Sequence, residues 1–205
     1  MNSVSSTSSP AIYAPFEPLV RRIIDEATVE NDRILKIDHF LNHRIEPQFM
    51  AAMGEALAER IRPFEPDILL TAEASGIAPA LAVAYSLGIP MVYAKKYSPV
   101  VEPPALSRLV PSPTKGGEAR LVVSARFVRP GMRVALVDDF LANGRTAIAL
   151  AEIAGDAGAR TVVAGFLVEK LFQHGRDGLQ ALGIPVASLA QVERLEAGRV
   201  IMKGL

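Results

Sequence analysis

The sequence predicts an α/β protein with a doubly wound, mostly parallel sheet. Several apolar runs lack the alternation of a one-sided strand, among them "DILLTA" (67–72) and "RTVVAGFLVEK" (160–170). Strands buried on both faces have this pattern, which is typical of parallel sheets covered by helices. The runs alternate with segments of helical periodicity, which is the order expected of a doubly wound fold. A composition that is 50% hydrophobic and 21% charged fits a globular protein of this kind.

Local signals predict the individual elements. Pro47 can occupy the first turn of a helix, and Gly88 can end one. The segment "ILKIDHFL" (34–41) alternates loosely and favours a strand or hairpin. The predicted helices are 17–30, 47–61, 76–88 and 144–158. The other predicted strands are 67–72, 90–94, 119–128, 133–139 and 160–170.

Two segments differ in composition from the rest of the chain. Residues 1–15 are rich in Ser and Pro, and we expect them to form a disordered tail. Residues 97–118 contain five prolines and are too long for an ordinary connection, so we expect a flexible lid over a binding site. Residues 16–205 contain no internal repeat and are expected to form a single domain.

Composition and motifs also narrow the functional classes. The chain has no cysteine, and His39 and His43 lack the glutamate of a zinc-protease helix, so no metal site is predicted from these residues. A net charge of zero gives no support for a nucleic-acid partner. The N-terminus has no secretory signal pattern. The uncharged stretch 74–94 is interrupted by Pro and Gly, so we expect a turn, a helix and a strand there, and no membrane span.

The stretch "VALVDDFLANGRT" (134–146) places two acids at the end of a predicted strand. In a doubly wound sheet, ligands bind at the carboxyl ends of the strands. Side chains alternate along a strand, so Asp138 and Asp139 should face different sides and meet different parts of a ligand. A purely structural explanation is weak for this pair, because unpaired carboxylates at a buried strand end are costly.

A small turn follows the two acids and opens a helix. The backbone N–H groups and the dipole at a helix N-terminus favour an anion, and Gly144 lets the backbone approach it closely. Thr146 could add a hydroxyl donor. Carboxylates beside such an anion site suit a ribose phosphate. The alternative is a structural turn in which Asn143 and Thr146 cap the helix.

The stretch "VALVDDFLANGRT" resembles the phosphoribosyl-diphosphate (PRPP) signature of the type I phosphoribosyltransferases. "LKIDHFLNHRIEP", "AEASGIAPA", "DDFLANG" and "VEKLFQHGRDGL" resemble the bacterial xanthine phosphoribosyltransferases, in family order. The resemblance implies transfer of the phosphoribosyl group of PRPP to xanthine, with release of pyrophosphate. It implies a small hood, formed by about 33–46 and about 170–205, beside the sheet. It also implies a homodimer, Mg²⁺ bound with PRPP, and a cytoplasmic location because the substrates are intracellular.

The resemblance assigns roles to the matching residues. Asp138 and Asp139 are the catalytic pair that faces the ribose hydroxyls, where carboxylates favour a developing positive charge. The residues implied for the 5-phosphate are Ala142, Asn143, Gly144, Arg145 and Thr146. Those implied for pyrophosphate are Ala74, Ser75 and Gly76, with Lys95 and Lys96 at the mouth of the lid. Mg²⁺ is carried by the substrate phosphates, so no protein side chain is assigned as its ligand.

The resemblance also implies four base-binding residues, Leu35, Asn42, Lys170 and Phe172. A lysine only donates hydrogen bonds, so Lys170 suits an oxo group at purine C6 and disfavours the amino group of adenine. An amide donates and accepts, so Asn42 can meet a 2-oxo or a 2-amino group. Phe172 is expected to stack on the purine. The side chains alone leave xanthine and guanine open, and the resemblance selects xanthine.

The chain departs from the family pattern at two places. Arg145 and Thr146 stand where the family commonly has Gln and Ala, and the lid matches poorly, so the lid residues that contact pyrophosphate are not assigned. Two other functions stay open. One is a guanine or hypoxanthine phosphoribosyltransferase, and the other is a PRPP-sensing regulator without catalytic activity. The zero net charge weighs against a regulator that binds nucleic acid.

Overall fold

The computed structural model describes residues 14–96, 105–111 and 117–204 of the chain. The helices are α1 (Glu17–Glu26), α2 (Pro47–Ile61), α3 (Ile77–Leu87), α4 (Arg145–Asp156) and α5 (Gly175–Ala181). The strands are β1 (Thr28–Glu30), β2 (Ile34–Lys36), β3 (Ile68–Ala72), β4 (Met91–Ala94), β5 (Ala105–Pro111), β6 (Glu118–Ser124), β7 (Arg133–Leu141), β8 (Arg160–Lys170), β9 (Val186–Glu196) and β10 (Arg199–Met202).

A six-stranded sheet with the order β10-β9-β8-β7-β3-β4 forms the centre of the protein. Neighbouring strands from β4 to β9 are parallel, and β10 returns antiparallel along β9. The predicted α/β class with a mostly parallel sheet is therefore confirmed. The carboxyl ends of β3, β7 and β8 meet at one edge of this sheet, which is the edge where the sequence predicts the site.

The side chains of β7 explain why one apolar run predicts burial on both faces. Ala135 and Val137 pack into a hydrophobic core with residues of α1, α2 and α3. Val134 and Leu136 pack into a second core with residues of α4 and α5. Because side chains alternate along a strand, an unbroken apolar run is what a sheet with helices on both faces requires.

The first helix is shorter than the prediction. The helix predicted over 17–30 ends at Glu26, and β1 follows and pairs antiparallel with β2. Thr28 and Val29 are β-branched and favour a strand. The turn at 31–32 has positive φ angles that close the hairpin. The prediction was wrong at the end of this helix because local β propensity and the pairing with "ILK" prevail there.

The predicted lid contains regular structure. Within 97–118, β5 pairs antiparallel with β6, which follows it. Lys95 and Val122 exchange two backbone hydrogen bonds, which connect this hairpin to the end of β4. Residues 97–104 and 112–116 lie outside the described residues, so the role of the segment as a lid stays a prediction.

Two further segments differ from the sequence-based expectation. The strand predicted over 119–128 ends at Ser124, where the N–H of Phe127 donates to the carbonyl of Ser124 and forms a turn.

The segment 170–205, which the resemblance assigned to the hood, contains β9 and β10, and both strands are hydrogen-bonded within the central sheet. Strand pairing depends on distant partners, so this extension of the sheet was not predicted.

The uncharged stretch 74–94 forms a turn, α3 and β4, as predicted. The helix α3 has 11 residues, which corresponds to about 16 Å at 1.5 Å per residue, against a hydrocarbon core of about 30 Å. In the parts of the chain that the structure describes, no helix is long and apolar enough to cross a membrane. Of the predicted tail, residues 1–13 lie outside the described residues.

Candidate active site

The two acids of the signature lie at the carboxyl end of β7 and have different neighbours. Asp139 is 6% exposed, and Asp138 is partly buried. The backbone N–H of Asp139 donates to Oδ1 of Asp138 at 2.9 Å. Asp138 lines a small pocket in front of α4, whereas Asp139 is bonded to the hood and to the turn after β3. The adjacent carboxylates can therefore meet different parts of one ligand.

Asp139 joins two segments that are distant in sequence. Nδ2 of Asn42 donates to Oδ2 of Asp139 at 2.6 Å, and Oγ of Ser75 donates to Oδ1 at 3.0 Å. Asn42 belongs to the segment predicted as the hood, and Ser75 belongs to the turn after β3. The resemblance assigned Asn42 to the base and Ser75 to pyrophosphate, and both side chains share Asp139 as their acceptor.

Burial raises the pKa of Asp138 well above its ordinary value, and the adjacent charge of Asp139 raises this pKa further. The backbone N–H of Asp139 and the ammonium of Lys96 lower the pKa of Asp138 by less. These directions follow from the cost of placing two like charges side by side at a partly desolvated strand end. Asp138 therefore keeps its proton to a higher pH than an exposed aspartate does.

The turn after β3 packs directly against this acid because position 76 is glycine. A Cβ atom at Gly76 would lie 2.1 Å from Oγ1 of Thr71 and 2.5 Å from Oδ1 of Asp138. Any side chain at this position would force the turn away from the end of β7. The peptide bond between Glu73 and Ala74, in the same turn, is cis.

Two lysines follow β4 and lie beside this turn. The backbone N–H of Lys96 donates to Oε1 of Glu73 at 2.5 Å, which fixes the start of the lid segment to the turn. The charge of Lys96 acts on the carboxyl of Asp138, so this cation lies close enough to influence the site. Lys95 is partly buried, and its backbone pairs with β6.

The turn after β7 has the form predicted for an anion site. Gly144 has a φ of 77° in the left-handed region, and α4 begins at the next residue. Oδ1 of Asn143 accepts the N–H of Arg145 at 3.1 Å, so Asn143 supports the turn as the structural alternative expected. The residues that line the pocket in front of α4 are Asp138, Phe140, Leu141, Ala142, Asn143, Gly144, Arg145, Thr146, Ala147 and Phe166.

Lys170 ends β8 on the other side of the acids. Its ammonium lies 4.9 Å from the centroid of the Phe140 ring, a cation–π contact that sequence reasoning missed. Burial lowers the pKa of Lys170, and the carboxylate of Asp139 opposes this effect. Lys170 is therefore a desolvated donor within the field of the buried acid.

The other two base-binding candidates have apolar surroundings. Leu35 lies in β2, is 6% exposed and belongs to the hydrophobic core. Phe172 lies in the short 3₁₀ turn after β8 and is packed against the same core. The hydrogen bonds and charges described above bring Asn42 and Lys170 to Asp139, whereas Leu35 and Phe172 are held by hydrophobic packing.

The first residue of α5 supports the turn after β7 (142–144), where the 5-phosphate is expected and which is named the phosphate turn. Sequence reasoning did not anticipate this support. The N–H of Gly175 donates to the carbonyl of Ala142 at 3.0 Å. A Cβ atom at Gly175 would lie 2.3 Å from that oxygen, and one at Gly144 would lie 2.8 Å from the carbonyl oxygen of Gly175. Both positions need glycine for this backbone contact. The available signal was the glycine in "HGRDGL", a stretch that served only to establish the resemblance.

The donor set of the site fits a metal that arrives with its substrate. Within residues 14–96, 105–111 and 117–204, no group of three or more His, Asp or Glu side chains is arranged to hold a metal ion. His39 is instead paired with Glu26 at 3.3 Å. Asp138 and Asp139 are the acids at the end of β7, and Glu73 lies in the neighbouring turn after β3. A magnesium ion here would therefore take most of its ligands from substrate phosphates and water.

We expect Asp138→Asn to stabilise the folded protein, increasingly so as the pH rises. A carboxyl whose folded pKa lies above its unfolded value of 3.8 loses folding stability as the pH rises from about 4 through the folded pKa. Asparagine removes that loss, so the two unfolding free energies should converge near pH 4 and diverge toward pH 8. Urea unfolding across this range measures the difference, with Asp25→Asn on the exposed face of α1 as the control. Parallel curves for Asp138→Asn and the wild type would contradict the raised pKa.

Comparison with known proteins agrees with this fold. A family model described as "Phosphoribosyl transferase domain" matches residues 42–177. A xanthine phosphoribosyltransferase of Chloroflexus aurantiacus is 58% identical over 190 residues, which cover 93% of this chain and 90% of the relative. A xanthine phosphoribosyltransferase of Deinococcus deserti is 42% identical over 185 residues, which cover 90% of this chain and 96% of the relative.

Among solved structures, an adenine phosphoribosyltransferase from Rhodothermus marinus has a TM-score of 0.70 and 23% identity, covering 86% of this chain and 99% of that chain. At this identity the likeness concerns the fold alone. The family match begins at Asn42 and includes both turns, both acids and Lys170. The chain therefore belongs to the phosphoribosyl transferase family, in which its sequence groups with the bacterial xanthine phosphoribosyltransferases.

Proposed function

We propose that this enzyme transfers the phosphoribosyl group of PRPP to xanthine, giving xanthosine 5′-phosphate and pyrophosphate in purine salvage. The observation that carries the proposal is the pair of hydrogen bonds to Asp139, from Asn42 of the hood and Ser75 of the turn after β3. An amide for the base, a hydroxyl for pyrophosphate and a carboxylate for ribose thereby meet at one point. The two relatives named xanthine phosphoribosyltransferase support the same substrate.

The reaction forms a bond between a purine nitrogen and the anomeric carbon, and breaks the bond from that carbon to a pyrophosphate oxygen. The purine nitrogen loses its proton to solvent, and positive charge develops on the ribose in the transition state. Asp138 and Asp139 are the acids available to favour that charge and to bind the ribose hydroxyls. No protein nucleophile is required, because the purine itself attacks the anomeric carbon.

The two phosphate-bearing ends of PRPP would be held by backbone and by cations. The 5-phosphate would accept backbone N–H groups at the start of α4, where Gly144 permits a close approach. The pyrophosphate would meet the turn of Ser75 and Gly76, with Lys95 and Lys96 nearby. Magnesium bound with PRPP would supply positive charge to the departing pyrophosphate, and the two acids of β7 are the side chains available to hold it.

The choice of base rests on the ammonium of Lys170. This group can only donate, so it favours an oxo group at purine C6 and leaves the amino group of adenine without an acceptor. Partial burial strengthens the discrimination, because an unpaired donor in a desolvated site is costly. Nδ2 of Asn42 already donates one hydrogen to Asp139. Its second N–H and its amide oxygen would then be available to bind the group at purine C2.

We expect the purified protein, with PRPP and magnesium, to turn over xanthine faster than guanine, hypoxanthine or adenine when each is supplied alone. The reason is that Lys170 suits an oxygen at purine C6, Asn42 can bind either group at C2, and the relatives named xanthine phosphoribosyltransferase favour the oxygen there. Product formation followed by chromatography measures the preference. A preference for guanine or hypoxanthine would overturn the base assignment and leave the reaction. Binding of PRPP without turnover of any purine would indicate the regulator instead.

Lys170→Met is expected to lower kcat/KM for xanthine roughly 10- to 100-fold, which is the loss of one hydrogen bond from a charged donor. The affinity for PRPP should change little, because the ammonium acts on the base. Steady-state kinetics and calorimetry with PRPP distinguish the two effects. Lys203→Met, at an exposed position near the C-terminus, serves as the control. An equal loss of PRPP affinity would mean that Lys170 does not act on the base.

We propose that the protein is a cytoplasmic homodimer, as the family resemblance implies. An apolar groove between α2 and α3 is the surface on which this proposal rests. Leu81 is 59% exposed, Tyr85 is 90% exposed and Ile45 is 43% exposed, and all three line the groove. Apolar patches of this kind on a soluble protein mark association sites.

Leu81→Glu is expected to shift the protein from dimer to monomer, because the charge would be buried without a partner at the contact. Light scattering coupled to size exclusion gives the mass of each form. Leu182→Glu is the control, since Leu182 is 53% exposed and lies outside the groove. A Leu81→Glu variant that remains a dimer would place the contact elsewhere. A wild-type monomer would contradict the proposed dimer.

A further inference from the structure

A buried carboxylate lies next to Lys170, the lysine proposed to bind the purine, and is not used by the proposed mechanism. Glu169 is 1% exposed and accepts hydrogen bonds from α5 and β9. Arg176 donates from Nε at 2.7 Å and also from Nη2, in a two-pronged pair. Ser188 donates from Oγ at 2.7 Å, and Gln191 donates from Nε2 at 2.9 Å. The carboxylate is thus bonded to three side chains on two elements.

The charge of Glu169 is stabilised in spite of its burial. Burial alone would raise the pKa of Glu169, but the hydrogen bonds from Arg176 and Ser188 outweigh it, and the pKa is lowered. Arg176 also donates from Nη1 to the carbonyl of Val186 at 3.0 Å. Replacing a buried ion pair with groups of similar volume is often neutral for stability. Stability alone is therefore a weak reason for this pair.

The position of the pair along the chain suggests another reason. Glu169 precedes Lys170 on β8, and side chains alternate, so the lysine points to the opposite side from the glutamate. Arg176 follows Gly175, whose backbone is bonded to the phosphate turn at Ala142. One ion pair thus lies a single residue from the base lysine and a single residue from the support of the phosphate turn.

The helix that carries Arg176 is also packed against the helix that begins at the phosphate turn. A Cβ atom at Gly178 of α5 would lie 2.8 Å from Cδ1 of Ile148 in α4. The first residue of α5, Gly175, also lies against Gly144. A movement of α5 relative to the phosphate turn would therefore break both the Gly175–Gly144 and the Gly178–Ile148 contacts. The ion pair then fixes α5, and with it the phosphate turn, to the end of β8.

We infer that Glu169 and Arg176 are a positioning pair that sets the separation between the base site at Lys170 and the 5-phosphate turn at 142–144. The inference rests on the proposed function and deepens it, because the purine and PRPP must occupy the two sites at the same time for the bond between them to form. Neither side chain is among the groups proposed to bind PRPP or the base. A change in the pair should therefore alter the binding of PRPP and of the base together, because α5 supports the turn at Ala142 and Glu169 lies next to Lys170, so a shift between α5 and β8 displaces groups at both sites.

The test changes both members of the pair together, so that neither charge is left buried alone. The double variant Glu169→Gln with Arg176→Met removes both charges, while the oxygen of the new amide can still accept from Ser188 and Gln191, which donate to the same oxygen of Glu169. Arg176→Lys keeps the positive charge but loses the planar fork that binds both carboxylate oxygens. The matched control is Glu196→Gln with Arg194→Met, which removes an exposed pair on β9 whose side chains are 63% and 52% accessible.

In the double variant, KM for PRPP and KM for xanthine are each expected to rise about tenfold, the effect of weakening one hydrogen bond at each site, with the midpoint of thermal unfolding close to that of the wild type. Arg176→Lys should raise both KM values by a smaller factor, since one of the two prongs remains. The exposed control pair should leave both values unchanged. A purely structural pair would lower the midpoint or the active fraction, and hence kcat, without moving either KM.

Unchanged KM values in the folded double variant would overturn the inference, and so would a rise in only one of them. If the double variant does not fold, Arg176→Lys decides, and wild-type KM values there overturn the inference. The wild-type assay with four purines tests the proposed function separately, and whichever purine is used best replaces xanthine in these measurements. If the wild type binds PRPP without turnover, dissociation constants for PRPP and purine take the place of KM. A wild type that binds no PRPP overturns both proposals.

Discussion

The candidate site depends on one buried carboxylate that needs donors. Asp139 lies at the end of a buried strand, and a charged group there is tolerated when it is hydrogen-bonded. Its donors are Asn42, which is 97 positions away in sequence, and Ser75, which is 64 positions away. Satisfying this single group therefore holds the hood and the turn after β3 at the edge of the sheet. The parts that would read the base and the pyrophosphate are aligned by the same constraint.

Glycine contacts complete the arrangement where side chains would prevent it. Gly76 allows the turn after β3 to lie against Asp138, and Gly144 and Gly175 allow the phosphate turn to lie against α5. The surfaces proposed to bind phosphate are consequently backbone surfaces, which suits the binding of anions by N–H groups. The buried pair of Glu169 and Arg176 lies beneath these contacts and links α5 to the strand that carries Lys170.

At this edge of the sheet, the pKa values of Asp138 and Lys170 differ from their ordinary values. Burial raises the pKa of Asp138, whereas it lowers the pKa of Lys170. Perturbed acids and bases that meet at one end of a sheet are characteristic of functional sites, because groups that bind or catalyse need pKa values matched to that task. The protein loses some folding stability at Asp138, and in return it presents preorganised charge to a ligand.

The sequence by itself determined the features that depend on neighbouring residues. The unbroken apolar run before Asp138 predicted a doubly buried strand, and the small turn with Gly144 predicted a helix start suited to an anion, because period and turn chemistry are local properties. Tertiary structure decided the rest. It determined that β9 and β10 extend the central sheet and that the segment after β4 contains a hairpin strand. It also determined that Asn42 and Ser75 share Asp139, and that Arg176 is the partner of Glu169. A sequence pattern gives the period and direction of a side chain, but the partner across a fold depends on how distant segments pack.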